Sequence, residues 1–397
     1  MERFATSNLK MGAAFATVIV SCLAVVAAYL IYPGTPGKSK CMKFEGYIEL
    51  PKDESLNVLD YLTIDNGRLF VTSESSGSLF KVELDPNSPS LGGAVSALPG
   101  NGAAHGVAVV TDSDVAFLTR SEENTVDVFD PTSLRLLSRI PVADDADAIL
   151  YVPSANLVYV ANGDAKIATL IDPEKRITVG TVTLPGRPEF PALDSQTGVL
   201  YQNLEDINSI VAVDLSKREV IGQWSLAPCE GPSGMAIDSK QRRLFAVCSR
   251  NATLVVFDLE SHQVITSLKI GGGPDSVAYD GTFHRIYSAG KAGRLTVIQQ
   301  DDPNTYRVLD EIRTHYGAHT LGLDPVSHRV FVAYASLFVH PRINVFSPTA
   351  VNDVRQMTVE GRSWLLSLRS RQERTGAKTI DKIRVIAVRG ESQSLEK

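Results

Sequence analysis

The middle of this chain repeats itself, and that repetition constrains its fold more than any other feature. One unit opens with a short apolar run. A second run of the kind RLFV follows, then a polar turn, a third run of the kind LVVFDL, and a fourth that closes on Gly or Pro. The copy beginning at Gly234 is the plainest: GMAID, RRLFAVCS, TLVVFDL and HQVITSLKIGGG. Other copies of the second run read RLFVTS, VAFLTR, LVYVAN, VLYQNL, RIYSAG and RVFVAY. Aligning the residue just before each first run gives Asp60, His105, Asp147, Glu189, Ser233, Asp275 and His319, at intervals of 45, 42, 42, 44, 42 and 44 residues. Period-2 runs rich in Val, Ile, Phe and Tyr exclude a helical solenoid. Four short strands in about 40–45 residues are the size of one propeller blade. Pro99-Gly100, Pro185-Gly186, Gly231-Pro232 and Gly273-Pro274 punctuate the blade junctions.

The expectation is therefore an all-β, seven-bladed β-propeller over residues 43–350. The last blade lacks a fourth strand of its own, because the pattern fades after Phe346. The segment 43–50, KFEGYIEL, reads as an orphan strand that fills the gap. Closing the ring in this way removes two open sheet edges. The seven copies resemble the YVTN β-propeller repeat family, with LVYVAN at Leu157–Asn162 nearest its name-giving motif. The resemblance implies an exported or envelope-associated propeller, with relatives among lactonase-type and haem-d1-type propellers. YQNL in the fourth copy and Tyr287-Ser288-Ala289 in the sixth depart from the motif, and the Gly-His and Trp-Asp signature of WD40 repeats is absent.

Before the repeat stands a 22-residue uncharged run, residues 11–32, long enough to cross a bilayer as one helix. A ten-residue tail, 1–10, precedes it and a Gly/Pro/Lys linker, 33–42, follows. A signal peptide cleaved after Val26-Ala27-Ala28, or a lipobox around Cys22, competes with an uncleaved anchor. The apolar run is longer than a usual signal core, which favours the anchor. After the repeat, residues 351–397 form a basic extension.

Charge narrows the partners. The formal net charge of −6 is +3 over residues 1–42 and +4 over 351–397, leaving −13 on the propeller segment. Such a surface repels phosphate backbones, so nucleic acid is a poor partner. Four cysteines are too few for a disulfide scaffold and lack the paired spacing of a zinc site. Cys229, in the loop entering the fifth blade, and Cys248, near the end of its second strand, are expected on the same face and within reach of a disulfide.

The seven aligned residues open the innermost strands, so pseudo-symmetry gathers them around one end of the channel. Asp60, Asp147, Glu189 and Asp275 are acidic; His105 and His319 are imidazoles. Blades seven, one and two are neighbours in a closed ring. His319, Asp60 and His105 are therefore a candidate ligand set for a divalent metal, with His315 in a loop on the same face. Arg120, Arg250 and Lys291, near the turns after second strands, are candidates to hold an anionic group above the ring. The plainer reading is a ring of polar residues around a wet tunnel. There is no G-x-S-x-G elbow, Walker loop, H-E-x-x-H or C-x-x-C. The reading is a membrane-anchored, non-enzymatic binding or scaffold propeller in the periplasm or extracellular space, presenting its face to a protein, peptide or small ligand. Its alternative is a metal-assisted hydrolase of lactonase type at the channel mouth.

Overall fold

Twenty-eight strands form seven four-stranded antiparallel sheets in the computed structural model. It describes residues 35–349 apart from 52–57, 86–90, 111–112 and 337–338. The first strand, β1 (Met42–Glu49), lies at the outer edge of the last sheet. It pairs antiparallel with β28 (Val339–Pro348), from Met42 opposite Pro348 to Glu49 opposite Arg342. That sheet runs β1-β28-β27-β26, with β26 (Thr320–Leu323) innermost and β27 (Val330–Ser336) second. The ring therefore closes with a strand from the other end of the repeat. Among the described residues no helix is long and apolar enough to cross a membrane. The run 11–32, the tail before it and the extension 351–397 lie outside the described residues.

Two repeat positions explain why these segments form blades. The third residue of each aligned second run is aromatic: Phe70, Phe117, Tyr159, Tyr201, Phe245, Tyr287 and Phe331, and all seven are buried. Each fills the space between neighbouring sheets, a contribution of about 2–3 kcal/mol per ring. The Asp at or just past the end of the third strand in blades two to five caps the next turn. The Oδ1 atoms of Asp130, Asp172, Asp214 and Asp258 accept backbone N–H groups two and three residues on. Four residues after each Asp the chain turns through positive φ, at Leu134, Arg176, Arg218 and His262, and the fourth strand begins.

A β-bulge recurs near the start of the innermost strand in blades one to six, between Leu59/Leu62, Ala104/Val107, Ala146/Ile149, Pro188/Pro191, Pro232/Met235 and Pro274/Ser276. In each case the aligned ring residue falls inside it. A bulge inserts an unpaired residue and re-aims its side chain, here toward the axis. Hydrogen bonds hold several of these bulges in place. Thr119 Oγ1 donates to Asp147 O at 2.6 Å, Thr320 Oγ1 to Asp60 O at 2.6 Å, and Asn203 Nδ2 to Ser233 O at 2.7 Å. All three bonds cross to the next blade, so neighbouring blades fix one another's ring residues.

Candidate functional site

All seven ring residues line one cavity of about 480 Å³ at the channel mouth. The residues that follow the ring positions lie in the innermost strands. Five of these are small: Gly106, Ala148, Gly234, Ser276 and Thr320. The other two, Tyr61 and Phe190, lean together with ring centroids 5.5 Å apart. Tyr61 lines the mouth, and both rings line a smaller cavity of about 70 Å³ deeper in the channel. Burial and the charges of Asp147, Asp60, Glu189 and Asp275 push the Tyr61 phenol well above its usual range.

The mouth is strongly acidic. Asp60, Glu74, Glu122, Asp145, Asp147, Glu189, Glu205 and Asp275 face it, against Arg187 and Lys291 and the two imidazoles. Burial, then the Asp60, Asp145 and Asp275 charges, raise Asp147 to about 7 although His105 pulls it down. Burial and the Asp147, Glu205 and Asp275 charges lift Glu189 well above the carboxylate range against the pull of Arg187. Arg187 is engaged on all sides. Nη2 meets Asp145 at 2.8 Å, Nη1 meets Asp164, and Nε lies 3.8 Å from both Glu189 and Glu205.

His105 stands between two partners. Its Nδ1 lies 2.6 Å from Asp60 Oδ2 and its Nε2 lies 2.9 Å from Ser121 Oγ. Asp147 Oδ1 is 3.6 Å from the same Nδ1. Burial by itself lowers the imidazole's proton affinity. The Asp60 hydrogen bond and the charges of Asp147, Asp60 and Glu74 outweigh it and raise the pKa to about 9. The ring thus carries its own cation at neutral pH.

This geometry revises the expected metal set. Asp60, His105 and Asp147 bring ligand atoms within 4.8 Å of one another, and His319 is not in that group. His319 turns instead to blade six, with Nδ1 donating to Gly317 O at 2.6 Å and Nε2 lying 3.7 Å from Asp275. Neighbouring ligands of a tetrahedral ion with bonds near 2.0–2.1 Å stand about 3.3 Å apart. The 2.6 Å Asp60–His105 contact is that of a hydrogen bond, so the pair as arranged shares a proton.

The three basic candidates separate by a single residue of register. The sixth residue of the aligned second run, counted from Arg68, Val115, Leu157, Val199, Arg243, Arg285 and Arg329, is Ser73, Arg120, Asn162, Leu204, Cys248, Gly290 and Tyr334. In several blades it ties the strand end to the incoming loop four residues before the ring position. Arg120 Nη1 donates to Asn101 O at 3.4 Å, Asn162 Nδ2 to Ala143 O at 2.8 Å, and Cys248 forms a disulfide with Cys229 across a Cα separation of 5.3 Å. Tyr334 stacks on His315 at 4.8 Å. Gly290 packs so closely that an added Cβ would sit 2.6 Å from Gly272 O. Arg120 is accordingly 2% exposed, with Nε on Asp127 at 2.7 Å and Nη1 on Gly77 O at 2.7 Å. It cannot meet a ligand, because its guanidinium neutralises a buried carboxylate.

The seventh position, one residue on, is the one that reaches the cavity. Glu74, Ser121, Glu205, Ser249 and Lys291 all line it. Lys291 therefore belongs to the mouth, 3.5 Å from Asp275. Arg250 falls one residue late, is half-exposed, and pairs with Glu205 at 3.1 Å outside the cavity lining. The sequence reading missed Glu74, Ser121, Asp145, Arg187 and Glu205. Counting seven from the start of each aligned second run recovers Glu74, Ser121 and Glu205, and counting two back from the ring recovers Asp145 and Arg187.

No family model matches the sequence, and no curated protein is similar to it. Among solved structures, a chain of Kuenenia stuttgartiensis hydrazine synthase superposes with a TM-score of 0.64 at 16% identity. The match covers 77% of this chain and 100% of that one. It is one of 1434 matching solved chains, so the likeness speaks to a widely used fold and to nothing finer. The chain has the seven-bladed propeller fold, and its resemblance to YVTN-type repeats rests on the repeat residues alone.

Proposed function

We propose that this protein is a binding propeller whose channel mouth takes up a positively charged group, on a protein, a peptide or a small ligand. One observation carries the reading: eight carboxylates face a single cavity whose lining, among the described residues, sets only Arg187, Lys291 and the charged His105 against them. Burial keeps part of that negative charge neutralised by protons, at Asp147 and Glu189. An incoming cation replaces those protons and recovers the electrostatic energy that crowding withholds. In the same proposal residues 11–32 anchor the chain in a membrane and the propeller faces the periplasm or cell exterior. The uncharged 22-residue run and the Cys229–Cys248 disulfide support this, since disulfides persist in oxidising compartments.

Titration calorimetry on the full chain in detergent micelles tests the reading, with spermidine, a Lys/Arg tripeptide and citrate as probes. The two cations should bind with an affinity that falls as salt rises, and citrate should not bind. The double variant Glu189→Gln, Asp275→Asn should weaken cation binding by about tenfold or more. Equal binding of citrate, or cation binding indifferent to the double variant, would remove the mouth from consideration.

A further inference from the structure

The acidic mouth holds a second arrangement that cation binding does not require. Asp60, His105 and Ser121 form one hydrogen-bonded chain through the two opposite nitrogens of the imidazole: Asp60 Oδ2 to Nδ1 at 2.6 Å, then Nε2 to Ser121 Oγ at 2.9 Å. Asp60 comes from blade one, and His105 and Ser121 from blade two, so the packing of the first two blades brings them together. Asp60 is 8% exposed, as the orienting carboxylate of an acyl-transfer triad must be, whereas Ser121 is half-buried and faces the open cavity. Order along the chain is immaterial, because such triads are defined by the roles of the atoms.

We propose that Ser121 is the nucleophile of an acyl-transfer site, with His105 as its general base and Asp60 as the positioning residue. The substrate class is a carboxylic ester bearing a positive charge; this last element rests on the cation-binding reading, whereas the triad does not. In the first step Ser121 Oγ attacks the carbonyl carbon and His105 Nε2 accepts the hydroxyl proton. The carbon–oxygen bond to the leaving alcohol then breaks, and the alcohol departs with that proton. Water attacks the acyl-serine, again giving a proton to Nε2. The proton returns to Ser121 as the carboxylic acid product leaves. No redox partner is needed, and water is the only co-reactant.

The groups facing His105 set its working pH. Asp60, Asp147 and Glu74 together hold the proton on the ring up to about pH 9, and Glu122 faces the same cavity. Below that pH both ring nitrogens donate and the base is off. A cation beside Asp147 lessens the hold and brings the base into action at lower pH, so the charged substrate promotes its own turnover.

The test is covalent labelling of the full chain in detergent micelles with an uncharged alkyl fluorophosphonate, followed by intact mass and peptide mapping from pH 6 to 10. A single adduct on Ser121 is expected. Its rate should climb about tenfold per pH unit and level off above about pH 9. His105→Gln should slow labelling at pH 9 by about 100-fold, and Asp60→Asn should displace the pH limb as well as the rate. Absence of a Ser121 adduct through pH 10 would overturn the proposal. So would a wild-type rate that keeps rising with hydroxide without levelling, or an unchanged rate in His105→Gln. The first two outcomes need no variant to fold. Because the probe carries no charge, this result and the calorimetric one with spermidine fail or succeed independently.

Discussion

The sixth and seventh residues counted from the start of each aligned second run are neighbours in the chain and opposites in what decides them. The sixth faces its own blade. Arg120, Asn162, Cys248, Gly290 and Tyr334 solve one problem, tying a strand end to the incoming loop, with a guanidinium–carbonyl hydrogen bond, an amide, a disulfide, a close backbone contact and a ring stack. The seventh faces the axis, where Glu74, Ser121, Glu205, Ser249 and Lys291 meet residues from every blade. A side chain with a local partner contributes stability whatever its chemistry. A side chain at the axis has its energetics set by distant charges, and there alone do single residues combine into a site.

Substitutions at the two positions should therefore separate stability from binding. The largest effect is expected at Arg120→Met, which removes one of the two guanidinium partners of buried Asp127, the other being Arg139 at 2.7 Å. Loss of about 4 kcal/mol is expected in chemical denaturation, with spermidine binding unchanged in whatever fraction remains folded. Opening the Cys229–Cys248 link by the double Ala variant should cost about 3 kcal/mol for a loop of 19 residues, again without touching the mouth. A tenfold change in cation affinity in either variant would collapse the distinction.

At the axis the sign reverses. Folding raises Asp147 to about 7 from its ordinary 3.8. The native state therefore binds more protons, and stability is lost as pH rises from about 4 through 7. Asp147→Asn removes that loss, so thermal unfolding at pH 8 should move up by a few degrees, with little change below pH 4, while spermidine binding weakens. A lower midpoint at pH 8 would show that the carboxylate is stabilised there. The smallest effect belongs to Ser249→Ala, whose hydroxyl donates to Gly231 O at 3.0 Å. Stability should change by less than about 1 kcal/mol, and cation binding should stay the same.

The blades were legible because they are written seven times. Aromatic residues from Phe70 to Phe331 recur at one strand position, and a noisy copy such as VLYQNL is recognised by its neighbours. The ring residues were legible for the same reason, since pseudo-symmetry converts an alignment into a location. What the sequence did not yield turns on single residues of register and on side-chain orientation. Arg120 and Lys291 both sit near the polar turn after a second strand, yet one is buried against Asp127 and the other faces the cavity. Likewise, ring order makes His319, Asp60 and His105 neighbours. The orientation of each imidazole decides that His105 joins Asp60 and Ser121 while His319 turns to Gly317 and Asp275.

The central claim is that the carboxylates of the mouth act together as one negative site, whose resident cation is His105. The direct measurement is the titration of the His105 imidazole by NMR in the full chain with and without saturating spermidine, assigned by comparison with His105→Gln. The account predicts a midpoint near 9 in the free protein, well above the ordinary value near 6.5. It predicts a clear fall when spermidine binds, as two cations compete for the same carboxylates. A midpoint near 6.5, or a raised one that spermidine leaves in place, would contradict it.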